Sequence, residues 1–166
     1  MTTPKYPLEQ LMTIKQRRFE KAVTVLEEKK VLLQKEEEKQ KALEEERNKV
    51  LEHKKVKLQK LRDELDKETT SEKIKQMKHY LETIKEKLLE HEKKVAAQKK
   101  KVDIAKEELE KARLEVIKKQ KEVEKLNIHR KEWKKGANYL LEREDQVEQD
   151  DLGSMKFAQR QKGGRK

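Results

Sequence analysis

From Ile74 onward the apolar residues fall on two interleaved series of sevens. One runs Ile74, Leu81, Leu88, Val95, Val102, Leu109, Val116 and Val123. The other, offset by three, runs Met77, Ile84, His91, Gln98, Ala105, Ala112, Lys119, Leu126, Trp133, Leu140 and Val147. Alternate steps of three and four place a single seam along a helix, the a/d pattern of a coiled coil. At about 1.5 Å per residue, a helix from Ser71 to Asp150 is on the order of 120 Å long. An earlier stripe is sparser: Leu8, Leu11, Phe19, Ala22, Val23, Leu26, Leu33, Leu43, Val50, Leu51, Leu58, Leu61 and Leu65. Between Gln34 and Lys49 only Ala42 and Leu43 are apolar.

The two stripes meet at LDKETTSEK, residues 65–73. Thr69 followed three residues later by Glu72 matches a capping box, where a hydroxyl and a carboxylate reciprocally satisfy free amides at a helix start. Three hydroxyl residues in a row also compete for backbone hydrogen bonds. If the chain folds back here, facing residues in the antiparallel pair have numbers summing to about 139. Leu65 then meets Ile74, Leu58 meets Leu81, Leu51 meets Leu88, Leu33 meets Ala105 and Leu26 meets Ala112. The weak zones coincide too, Gln40 facing Gln98 and the stretch around Arg47 facing His91. A parallel dimer of one long helix also satisfies the later heptads, but not this match around one turn.

The expectation is therefore an all-α fold, a long two-helix antiparallel coiled-coil hairpin with a flexible basic C-terminal tail. Its parts are an N-terminal extension at 1–6, helix one at 7–67, a tip at 68–71 (with Thr69, Thr70, Ser71 and Glu72 forming the turn), helix two at 72–150, and the tail at 151–166.

Composition agrees. Of 166 residues, 48% are charged and 32% hydrophobic, too little apolar matter for a globular core. Helix formers dominate, and the two prolines, Pro4 and Pro7, sit at the start. There is no cysteine, so disulfides and thiolate metal sites are excluded. No apolar run approaches a membrane span and the N-terminus lacks a signal-like segment, so a cytoplasmic protein is expected. The net charge of +11 suggests a basic rod that binds anionic membrane or nucleic acid. Against this, pairs such as Glu37 and Lys41 or Glu107 and Lys111 interleave the signs as solvated helix faces do. Nor do aromatic residues alternate with the basic ones.

The helices are unequal. Leu8 falls opposite about Lys131, and EWKKGANYLLEREDQVEQDD continues beyond it with Trp133, Tyr139, Leu140, Leu141 and Val147 unmated. Covering by the residues before Pro7 is the plain alternative, but they are too few for all of it. Gly136 allows a bend. Lys15, Arg17, Arg18 and Lys21 lie near this end on helix one, and Glu142, Glu144, Asp145, Glu148, Asp150 and Asp151 make it acidic on helix two. A docking end results. His53, His79, His91 and His129 stand alone, without metal-ligand spacing, and no phosphate loop or nucleophile elbow is present. No enzymatic activity, cofactor or metal is expected.

With YPLEQLMTIKQRRFEKAVTVLEEKK at its start and KEVEKLNIHRKEWKKGANYLLEREDQVEQDD near its end, the chain resembles the YscO/FliJ family of type III secretion, and its YscO branch above all. Gly136 has no counterpart in that pattern. The resemblance implies a non-enzymatic, virulence-associated protein-transport component, similar to the stalk subunit of rotary ATPases. It implies a monomer docked on the hexameric secretion ATPase, and contacts with the export-gate protein and escort chaperones. It also implies a cytoplasmic place at the periphery of the inner-membrane apparatus. Carried over by position, the partner-binding residues are Arg17, Arg18 and Phe19 on helix one, and Trp133, Tyr139, Leu140, Leu141, Glu144 and Asp145 on helix two. A structural coiled-coil dimer is the alternative.

Overall fold

The computed structural model describes residues 4–68 and 70–163, and among them there are two helices and no strand. Helix α1 is Glu9–Asp66 and helix α2 is Ser71–Gly163. They pack against each other as an all-α helical hairpin. Contacts divide it into two units, Met1–Ala22 with Val116–Lys166, and Val23–Glu115.

Helix α1 begins on backbone hydrogen bonds. The Glu9 amide donates to the Tyr6 carbonyl at 3.2 Å and the Met12 amide to that of Leu8 at 2.9 Å. Pro7 suits this turn because its φ is already fixed and it has no amide to satisfy. Helix α1 ends in a tight turn, the Lys67 amide donating to the Glu64 carbonyl at 3.2 Å. Glu68 follows at φ 54°, the left-handed conformation that stops helices and that glycine adopts without cost. The carbonyl of Thr70 then accepts from the amides of Lys73 and Ile74 at 3.1 and 3.3 Å. Thr70 therefore occupies the cap position, one residue after the threonine of the expected capping box. Thr69 itself lies outside the described residues. Ser71 and Glu72, expected in the tip, form the first turn of α2, where the Glu72 carboxylate complements the helix dipole.

At the other end the expectation of a tail from residue 151 is corrected: α2 continues as helix to Gly163. A lone Gly153 costs about 1 kcal/mol relative to alanine, and no proline follows it. Arg160 and Lys162 in the last turn favour the C-terminal dipole.

Within the unit Val23–Glu115, α2 supplies the core. Leu81, Ile84, Leu88, Val95, Val102 and Leu109 are buried at the predicted heptad positions, joined from α1 by Leu61. The α1 side of the seam steps by three and four through Leu26, Lys29, Leu33, Glu36, Gln40, Leu43, Arg47, Val50, Lys54, Lys57, Leu61 and Glu64, nearly all half-buried. Seven of these twelve are polar, which is why the apolar α1 stripe is sparse. Some of them reach a partner across the hairpin. Lys29 pairs with Glu108 at 2.6 Å and Glu64 with Lys73 at 3.3 Å, while His91 lies 3.9 Å from Glu46. The two numbers in each pair add to 137, so the register is two residues tighter than a fold-back about the threonines requires. Gln98, buried in the seam, donates to the backbone and side-chain oxygens of Glu36 at 3.1 and 2.5 Å, rather than facing Gln40. Hydrogen bonds from Lys39 and then Gln98 hold the Glu36 carboxyl below its ordinary range.

Leu8, Leu11 and Leu65 do not join the stripe; they are exposed. Met12 and Lys15 continue the three-four stepping in place of Leu11, which falls one residue out of phase.

Candidate partner-binding site

In the unit made by Met1–Ala22 and Val116–Lys166, two ties place the helices side by side. Lys15 reaches Glu122 at 2.6 Å, and Arg130 reaches Glu9 at 3.3 Å and the sulfur of Met12 at 3.6 Å. The Lys15 hydrogen bond is the main cause of a lowered Glu122 carboxyl pKa. Because α1 starts at Glu9 opposite Arg130, everything on α2 beyond that point lacks a helix opposite it.

What covers the first turn beyond is the N-terminal segment. Tyr6 is 5% exposed, its hydroxyl hydrogen-bonds Nδ1 of His129 at 2.6 Å, and its ring meets Trp133 edge-on at 5.5 Å. The expectation that Trp133 has no mate within the chain is thereby corrected. His129 is likewise a packing and hydrogen-bonding residue here. Tyr6 carried no signal in the heptads because it precedes the helix. Its position three residues before α1 begins, next to a proline, is the available clue.

Past Trp133 the seam changes phase. Ala137 and Leu141 are half-buried, whereas Leu140 and Val147, which continue the strict heptad, are 58% and 54% exposed. Without a facing helix nothing holds the 3.5-residue period, and the covered side follows what Pro4 and Tyr6 can reach. Pro4, Trp133, Gly136, Ala137, Tyr139, Leu140, Leu141 and Glu144 line one open groove. A second groove next to it is lined by Leu140, Arg143, Glu144, Val147 and Glu148. Tyr139 is 64% exposed, and Leu152, Met155 and Phe157 continue the apolar exposure along α2. The helix passes through Gly136 without a break.

Of the expected partner-binding residues, the structure gathers Trp133, Tyr139, Leu140, Leu141 and Glu144 around one groove, with exposed Asp145 next in sequence. Arg17, Arg18 and Phe19 are not part of it. The Lys15–Glu122 pair sets α1 so that they lie beyond Glu122, itself eleven positions or about 16 Å before Trp133. Phe19 is half-buried in the hairpin seam, and Arg17 and Arg18 are exposed. Among the described residues, no group of three His, Cys, Asp or Glu side chains is placed to hold a metal ion. No helix among them is long and apolar enough to cross a membrane.

The YscO-like family model matches residues 3–163. A solved structure described as a YscO homolog, CT670 from Chlamydia trachomatis, is 40% identical. The match covers 98% of this chain and 99% of that one at a TM-score of 0.90. The chain belongs to the YscO-like family. No curated protein is similar enough to match it. The YscO-like family is associated with type III secretion, and this chain is a component of such a secretion system.

Proposed function

We propose that this YscO-like chain is a monomeric stalk or adaptor that docks on the export ATPase through the α2 segment beyond Arg130. From there it would link the ATPase to the export-gate protein and escort chaperones, at the cytoplasmic periphery of the inner-membrane apparatus. One observation carries the docking surface: a groove of Trp133, Ala137, Leu140 and Leu141, edged by Glu144, on a helix with no second helix opposite. Exposed apolar residues bordered by charge are the ordinary anatomy of an interface. The groove is open to water, which suits a partner helix or loop better than a reaction.

The test is capture of the chain by its cognate ATPase. Leu140→Asp and Tyr139→Ala alter exposed positions, so the hairpin keeps its helicity while binding weakens by about tenfold or more. Glu144→Lys separates charge from apolar contact. Full-strength binding by the Leu140→Asp and Tyr139→Ala variants together would refute the site. Arg17→Ala and Arg18→Ala, outside the groove, test whether a second contact exists.

A further inference from the structure

At the turn end of the unit Val23–Glu115, residues 53–62 and 73–81 hold seven lysines, Arg62, His53 and His79, and no Asp or Glu. The chain as a whole has 34 acidic residues in 166, about one in five, so two acid-free stretches of ten and nine residues are unusual. They also lie against each other. Nε2 of His53 is 3.0 Å from the Tyr80 hydroxyl, and Nζ of Lys57 sits 5.4 Å above the Tyr80 ring. Elsewhere a lysine run meets acid across the hairpin: Lys99, Lys100 and Lys101 flank the level where Gln98 contacts Glu36 and Lys106 reaches Glu37. Among the described residues of these two stretches, Lys55 and Lys73 are paired, with Glu52 and Glu64. Lys54, Lys60, Arg62, Lys75 and Lys78 form no salt bridge with any described residue.

We propose that the facing stretches 53–62 and 73–81, which flank the acidic turn of Asp63, Glu64, Asp66, Glu68 and Glu72, bind the surface of an anionic phospholipid membrane. Lys57, Lys60, Gln76, Met77 and Tyr80 line a groove whose ammoniums, amide and phenol can donate to phosphate oxygens. Lipid fits better than nucleic acid for three reasons. Seven of the eight permanent cations are lysines, point charges without the arginine fork that reads bases. The Tyr80 ring carries Lys57 over one face, which leaves it a poorer stacking platform. And Val56 and Tyr80, each about half exposed, put apolar surface beside the cations, as contact with a headgroup layer requires. This reading goes beyond ATPase docking and uses a different unit of the hairpin.

Flotation of the full chain with vesicles tests it. Wild type binds phosphatidylcholine vesicles containing about a third phosphatidylglycerol, does not bind phosphatidylcholine alone, and releases as salt rises. Each lysine near such a surface contributes about fivefold. K57Q/K60Q/K75Q/K78Q therefore weakens binding by several hundredfold, with helicity checked by circular dichroism. K93Q/K94Q/K99Q/K100Q removes the same net charge away from the turn and shifts binding by less than about tenfold. Equal losses in the two variants overturn the site, as does equal binding to neutral vesicles. Retention of duplex DNA without any vesicle binding overturns the lipid assignment.

Discussion

Ile84 and Leu140 lie on the same heptad series of α2, yet their burial separates a core position from a docking position. Ile84 is 3% exposed and Leu140 is 58% exposed. Ile84→Ala removes three carbons from a filled seam. Such truncations cost about 2–5 kcal/mol, set by how well the site collapses. Here α1 presents half-buried side chains that can shift inward, so the lower part of that range is expected, about 2–3 kcal/mol. Leu140→Ala removes atoms already in water and falls within about 0.5 kcal/mol. Urea unfolding followed by helical circular dichroism at fixed protein concentration measures both, and in heating Ile84→Ala lowers Tm by about 5–10 °C. A loss above about 1 kcal/mol for Leu140→Ala would refute the reasoning. Leu140 would then be covered in solution, and a concentration-dependent transition would identify a second copy as the cover.

Gly136→Ala stabilises α2 by about 1 kcal/mol in the same assay, because a Cβ there meets nothing within 4 Å and the helix is otherwise regular. Tyr6→Ala strips the cover from the single tryptophan, so Trp133 emission moves to the red and quenches more readily while helicity is kept; an unmoved spectrum contradicts the packing. Hydrogen bonds from Lys29 and Lys15 hold the carboxyls of Glu108 and Glu122 below their ordinary value of 4.5. Their stabilisation is present above that pH and is lost as pH falls below it through the lowered values. Tm should therefore drop on acidification below about pH 4.5, and E108Q/E122Q should flatten the drop.

The hairpin was legible because its evidence is periodic and local. Heptads from Ile74 to Leu126 need only helix geometry to be read. The exclusion of proline and glycine needs only backbone conformation, and the match of two stripes around one turn needs only antiparallel pairing. Tertiary packing decided the rest. Lys15, Lys29 and Glu36 are seam residues, though polar, since long side chains can bury their stems and still reach an opposite charge. Their partners, Glu122, Glu108 and Gln98, come from the other helix, and no pattern within one helix points to them. Trp133 is covered by Tyr6 across a gap of more than a hundred residues, a contact with no period to betray it. Leu140, equal to Ile84 in heptad phase, is exposed because α1 begins at Glu9. Sequence determines which face of a helix is apolar; only where the opposing helix stops decides how much of that face is left for a partner.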